Sequence, residues 1–411
     1  WAVTSKLGLD SYDEHDQPNL GNPETNWSER EVYLQGLFHY DTKRRVKIST
    51  GFECSYEHFG PGWNGDEKSF KLSQMVSDES SDSYSASRIL VGNGWETTQF
   101  ALLGEGNFAF TPAWSMLLSG RVDKHVYTDY MFSPRAALIW NIVNAHYLKF
   151  VYQRSVRMTT AYDTYIAQKD NFSADEETLD TYELIYEGQV DRLGYHVGAF
   201  YNELDAIGWT DQGTSSLGNL KAAGLEVETD YRTDTVRLGF NHGYTKQLDW
   251  AMGAGVERSG ISYSDYNYDA GGGTMLTDNG NDLSNWSNHI TKFFADITFL
   301  KDKLTLHGDA HIFWGFEGYR DGLDVIEDAS GGGDIFNDFS SHDVYDTLIT
   351  ANLQLTWHIT NKANLAAFVH NIPLFGDNKR YYYSTGYTKA YPERGWQEQP
   401  TVFGVKGTLQ F

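Results

Sequence analysis

Apolar and polar residues alternate along most of this chain with a period of two. In KLTLHGDAHIFWGF, Leu304, Leu306, Ala310, Ile312, Trp314 and Phe316 fall on one side, while Thr305, His307, Asp309 and His311 fall on the other. LEVETDYR sets Leu225, Val227, Thr229 and Tyr231 against Glu226, Glu228, Asp230 and Arg232. TYELIYEGQV sets Tyr182, Leu184, Tyr186 and Val190 against Glu183, Glu187 and Gln189. Successive side chains of a strand point to opposite faces, so the pattern predicts strands with one apolar and one charged face. Charges at every second position have no place in a dry core, but they suit a wall with water on one side and hydrocarbon on the other.

About sixteen such strands are predicted, most of them about 9 to 16 residues long, against roughly 5 to 6 in ordinary soluble sheets. A tilted strand needs about 9 to 11 residues to cross a bilayer. The connections alternate in length. Short ones are predicted at DTKR (41), TPA (111), VNA (143), VDRL (190), RTDT (232), KDK (301) and ITNK (359). Long polar loops are predicted near 10–27, 60–95, 157–179, 205–218, 250–286, 317–343 and 374–396, with one tighter connection near 128–132. Tight turns at one end and long loops at the other are the layout of an outer-membrane barrel. Aromatics at strand ends, among them Trp114, Trp140, Tyr147, Trp314, Trp357 and Phe411, match the girdles such barrels carry at headgroup level.

Composition narrows this further. The chain has 27 Tyr, 23 Phe, 12 Trp and 40 Gly but only 8 Pro, which favours strands and turns. Its net charge of -24 argues against a nucleic-acid partner, whose phosphates demand basic grooves. No stretch is long and apolar enough for a membrane helix, which excludes a helical membrane protein. A single cysteine, Cys54, allows neither a disulfide framework nor a Cys-based zinc cluster. The strand pattern runs from end to end without a linker, so residues 1–411 read as one domain. The expected fold class is all-β, a transmembrane antiparallel β-barrel with short periplasmic turns and long extracellular loops. The terminal VFGVKGTLQF reads as its last strand, with Phe403, Val405, Leu409 and Phe411 on the lipid side.

Several segments resemble the later barrel strands of TonB-dependent receptors, the active transporters of Gram-negative outer membranes. FSPRAALIWNIVNAHYLKFVYQRSVRMTT (132–160) resembles the family's SPR, strand, turn, strand stretch, with Gln153 and Arg154 where Gly-Arg is usual. TYELIYEGQVDRLGYHVGAFYNELDAI (181–207), LKAAGLEVETDYR (220–232), LAAFVHNIPLFGDNKRYY (365–382) and the terminal strand resemble later segments in the family's order. The resemblance implies an outer-membrane, multi-pass barrel that takes up a scarce solute, an iron-siderophore first. It implies as partners the TonB complex, acting through a plug domain, together with a small-molecule ligand, outer-membrane lipid and lipopolysaccharide. It also implies that Phe411 is the signal read by the barrel-assembly machinery. The family has a plug and a 22-strand barrel, whereas neither plug nor early strands are recognised here, so the chain reads as the C-terminal part of a longer receptor. A plugless porin-like diffusion channel and a surface binding or structural barrel are the competing readings.

Candidate sites follow from residue chemistry. His307, Asp309 and His311 share one strand face, and imidazole with carboxylate suits transition metals. Asp265, Asp269, Asp278, Asp282, Asp328 and Asp334 lie in Gly-rich acidic loops, and calcium is the cofactor such loops could wrap. Trp63, Tyr162, Tyr165, Trp209, Tyr319, Phe336 and Tyr382 place aromatic surface on loops, a common means of holding a flat or amphipathic ligand. No nucleophile elbow, zincin motif, P-loop or dinucleotide fingerprint is present, so no enzyme is expected.

Overall fold

A computed structural model describes residues 2–16, 25–42, 45–60, 95–126, 128–158, 176–210, 213–252, 287–315, 347–375, 379–381, 396–398 and 401–409. The strands are β1 (Ala2–Asp16), β2 (Thr25–Asp41), β3 (Val46–Gly60), β4 (Trp95–Ala109), β5 (Trp114–His125), β6 (Tyr130–Val143), β7 (His146–Met158), β8 (Glu176–Val190) and β9 (Leu193–Thr210). They continue as β10 (Gly213–Arg232), β11 (Val236–Met252), β12 (His289–Phe299), β13 (Leu304–Trp314), β14 (Leu348–Thr360), β15 (Ala363–Phe375), β16 (Lys379–Tyr381), β17 (Trp396–Glu398) and β18 (Val402–Leu409). Sixteen of them form one antiparallel sheet in chain order, with β18 following β15, while β16 and β17 pair with each other. No helix occurs among the described residues.

All seven predicted short turns are present, each leaving two to four residues between strands. Four of them are closed by a threonine. The Thr42 hydroxyl accepts from the Val46 amide at 3.1 Å, Thr111 from Trp114 at 3.0 Å, Thr233 from Val236 at 2.9 Å and Thr360 from Lys362 at 3.2 Å. A hydroxyl that bonds its own turn satisfies amides that the ladder cannot reach.

The long connections are less faithful to the sequence reading. The segment 205–218, expected as a loop, is almost wholly strand: β9 runs to Thr210 and β10 starts at Gly213. Strands also extend into 10–16 and 25–27, and the 374–396 connection contributes to the β16–β17 pair. Backbone pairing continued here past the point where apolar alternation stops, because ladder hydrogen bonds do not require an apolar face.

Contacts divide the chain into two compact parts, one of residues 1–139, 151–181 and 204–218, the other of residues 140–150, 182–203 and 219–411. In the first part, register aligns Leu7, Leu34, Cys54 and Phe100 in one row across β1 to β4. Its opposite face carries the row Lys6, Gln35, Glu53, Ala101 and Asp123. In the second part, Ile297, Leu306, Leu355, Ala367 and Val405 align across β12, β13, β14, β15 and β18. The opposite row starts Arg237, Asp296, His307, Gln354.

The apolar rows are the exposed ones. Phe403 is 80% accessible, Val405 70%, and Leu353, Leu355, Trp357 and Ile359 follow one another at every second position of β14, all exposed. Each large apolar side chain gains about 1.5–3 kcal/mol on leaving water, so a continuous face of them demands an apolar surrounding.

Two bands of polar aromatics bound the apolar face of the second part. At the Trp314 end of β13, the His289 and Trp314 rings stack at 3.7 Å, Tyr244 lies 4.5 Å from His289, and the Trp314 indole N–H donates to Thr291 Oγ1 at 3.2 Å. At the other end of β13, Leu304 pairs with Trp357, which is half exposed. Ten residues separate positions 304 and 314. That is about 33 Å along a strand, or roughly 25 Å along the membrane normal at the tilt of such barrels, the height of their apolar band. Near the turns of β6–β7 and β8–β9, His146, Tyr186 and Tyr195 cluster, with the Tyr195 oxygen 2.9 Å from His146 Nδ1. Gly188 makes room for that cluster: a Cβ there would lie 2.5 Å from His146 Nδ1 and 2.7 Å from the Tyr195 oxygen.

Candidate functional site

On the charged face of the second part, one cluster of ionisable groups surrounds Asp309, close to mid-height between the two aromatic bands. Asp309 stands on β13 between His307 and His311, all three on the side opposite Leu306 and Ile312. His307 Nε2 lies 3.1 Å from Asp309 Oδ2, and His311 Nε2 lies 3.3 Å from Asp309 Oδ1. Strand β12 adds Asp296, whose Oδ1 is 2.7 Å from His307 Nδ1. Strand β14 adds Asn352, whose Nδ2 donates to Asp309 Oδ1 at 2.7 Å.

Asn352 also accepts, at 2.9 Å, from the amide of Asn371, whose φ is +57° at a register shift in the β14–β15 ladder. A bulge leaves an amide without a ladder partner, and here a side chain supplies one. Asparagine tolerates this left-handed backbone better than most residues. Arg237 donates to Asp230 at 2.7 Å and lies over the Phe294 ring at 4.8 Å, while Lys292 stands opposite His311 in register. These groups line a recess of about 460 Å³.

The charged face of the first part holds a second network. The Arg121 guanidinium donates to Glu53 Oε2 at 2.5 Å and, through Nε and Nη2, to Asp123 at 2.8 Å. Gln35 supports Glu53 at 2.5 Å and Gln99 supports Asp123 at 3.0 Å. Arg121 belongs to β5 and Glu53 to β3, so the side chain runs diagonally from its own register partner Leu103 across β4 towards the row of Glu53 and Asp123, where the β4 residue is the small, 1% exposed Ala101. Replacing Arg121 by methionine strands two carboxylates with little exposure, and should cost about 2 kcal/mol in denaturant unfolding after discounting for solvent screening. Lysine at the same position should recover only part of this, because one ammonium cannot reproduce the forked contact with Asp123.

The structure therefore brings His307, Asp309 and His311 together as the alternation implies. It adds Asp296, Asn352, Arg237 and Lys292, which the sequence reading did not single out. Their period-two placement marks the charged face, but cross-strand register is invisible in a linear pattern. Among the described residues, no three His, Cys, Asp or Glu side chains converge on one point as metal ligands would. Trp63, Tyr162, Tyr165, Tyr319, Phe336, Tyr382, Asp265, Asp269, Asp278, Asp282, Asp328, Asp334 and Phe411 lie outside the described residues, and Trp209 is described only as backbone in β9.

A family model described as TonB dependent receptor-like, beta-barrel, matches residues 1–371. The chain belongs to this family. It is a receptor and transport family of outer-membrane barrels, not one of enzymes. No curated protein matches the chain. Among solved structures, a mutant of the ferric enterobactin receptor PfeA from Pseudomonas aeruginosa is similar over 100% of this chain and 59% of its own, with a TM-score of 0.64 and 14% identity. The FrpB iron transporter from Neisseria meningitidis is similar over 90% of this chain and 56% of its own (TM-score 0.61, 9% identity). The siderophore receptor PirA from Acinetobacter baumannii is similar over 90% and 55% (TM-score 0.58, 13% identity). Identities this low speak to the fold alone, and the chain spans less than two thirds of each of these structures. In a TonB-dependent barrel the apolar face meets lipid and the charged face lines the lumen. The Asp309 and Arg121 networks are thus features of the lumen wall.

Proposed function

We propose that this chain is the translocation barrel of a TonB-dependent outer-membrane receptor that takes up a scarce solute, with an iron-siderophore complex as the leading cargo. The observation that carries the reading is the family match over residues 1–371. Structural neighbours that are siderophore or iron receptors support the cargo class. A scarce solute is captured first by contact area, and the aromatics Trp63, Tyr162, Tyr165, Tyr319, Phe336 and Tyr382 of the expected loops, together with Trp209 at the end of β9, are the proposed capture surface. The lumen face of alternating charges and amides then offers a hydrated wall along which a polar chelate is exchanged between weak contacts. Movement against a gradient requires energy, and the proposed source is the TonB complex acting on a plug. The acidic loop residues Asp265, Asp269, Asp278, Asp282, Asp328 and Asp334 are proposed calcium contacts, which calorimetry with calcium on the purified protein would test.

The test of the uptake reading is accumulation of radioactive iron from a panel of chelates, in cells with and without the gene and with and without functional TonB. Loss of one chelate class on removing either is the expected result. Uptake that needs the gene but not TonB would identify a diffusion channel instead. Uptake indifferent to the gene would leave a binding or structural role.

A further inference from the structure

We propose that the lipid-facing side of β11 to β13 holds one molecule of an outer-leaflet phosphoglycolipid, the chemistry of lipopolysaccharide, with its phosphate on His289 and Lys246 and an acyl chain in a groove beneath them. The starting point is a pair of polar groups on a face that meets hydrocarbon. His242 and Thr291 stand opposite each other one level below the band of Trp314, His289 and Tyr244, on the side of Phe240 and Phe293. Polar side chains there are costly and persist only with partners. Their hydrogen bonds run in one direction. An indole N–H can only donate, so Thr291 Oγ1 accepts from Trp314 Nε1 at 3.2 Å. In hydrocarbon the hydroxyl proton needs an acceptor, and His242 Nδ1 lies 2.8 Å away. His242 then carries its proton on Nε2, 3.5 Å from His289 Nδ1. His289 accepts there and keeps its own proton on Nε2, so the chain of bonds ends on a donor at headgroup level.

Three features favour this occupant. The His289 ring is held between Trp314 at 3.7 Å and Tyr244 at 4.5 Å, which fixes its donor in place. Lys246 follows Tyr244 by two residues on β11, so alternation puts its ammonium on the same side, beyond the rings. An N–H donor beside a cation suits a phosphate, and the exposed indole of Trp314 offers a sugar a flat apolar surface. Below the rings a groove of about 590 Å³ opens on the apolar face. Ala295, Gly308 and Ala310 leave the space, and Phe240, Phe293 and Leu353 bound it. Ala310 lies four residues from Trp314, about 13 Å along the strand, within the roughly 15 Å depth of one leaflet. The leaflet is the outer one, because the Leu304 end of β13 adjoins a short turn while the Trp314 end leads into the long connection to Leu348. The proposal rests on the outer-membrane placement of the barrel and not on its cargo.

The test uses the full-length protein purified from outer membranes in detergent and stripped of lipid. It is titrated with purified lipid A, with lipid A lacking its phosphates and with phosphatidylglycerol, and bound lipid is counted by native mass spectrometry. One lipid A per chain is expected, with the other two lipids binding about 10-fold more weakly. His289→Phe, which keeps the ring stack and removes the donor, should weaken lipid A about 10-fold, as should Lys246→Gln. Ala310→Leu, which fills the groove, should weaken it as well, while Gln354→Asn on the lumen side should leave it unchanged. Heat-sensitive gel mobility checks that each variant is folded. Equal binding of dephosphorylated lipid A or of phosphatidylglycerol would mean an unselective lipid layer and overturn the proposal. Undiminished binding of lipid A by folded His289→Phe or by folded Ala310→Leu would overturn it too.

Discussion

Leu353→Arg is expected to destabilise the protein in a lipid bilayer by roughly 2–4 kcal/mol, whereas Gln354→Arg, one position along the same strand, should cost at most about 1 kcal/mol. Leu353 is 48% exposed and pairs with Gly308, near mid-height between the aromatic bands, so a charge there enters hydrocarbon. Gln354 belongs to the row of Asp296 and His307 and faces the lumen, where an added cation meets water and carboxylates. The comparison controls for strand, depth and residue type. Equilibrium unfolding from lipid vesicles, followed by tryptophan fluorescence, reads both values; equal costs would mean that β14 does not separate lipid from water.

Ala310→Pro should be more damaging still, preventing assembly of most of the protein. Ala310 lies inside β13, which is paired on both sides, with Phe293 of β12 and Ala351 of β14 as its partners in register. Proline removes a ladder donor and leaves an acceptor with nothing to bond in a medium without water, a loss of about 3 kcal/mol or more. Ala310→Ser, which keeps the backbone intact, should assemble normally. The folded fraction is measured by the heat-sensitive mobility that intact barrels show in detergent gels.

Where the sequence could be read, local chemistry and the fold agreed. The short turns were legible because each is made by its own residues, as at Thr42 and Thr233, whose hydroxyls bond the same turn. The faces were legible because alternation follows from strand geometry alone, so the row Ile297, Leu306, Leu355 was implied before any register was known. The segment 205–218 was misread because strand pairing there outlasts the hydrophobic signal. The site was half legible. His307, Asp309 and His311 lie on one strand, but Asp296 is brought in by register and Asn352 by the next strand, and neither follows from spacing. Glu53 and Arg121 are 68 residues apart and meet only because the side chain crosses an intervening strand at an alanine.

The central claim is that each strand divides hydrocarbon from a hydrated lumen. Spin labels placed singly at every position from 304 to 314, with Cys54 replaced by serine, test it in membranes through collision with lipid-soluble oxygen and with a water-soluble nickel chelate. The prediction is a period of two: oxygen accessibility peaks at Leu306, Ala310 and Ile312 and falls at His307, Asp309 and His311, with the nickel chelate out of phase. Accessibility without that period, or oxygen peaks at the histidines, would contradict it.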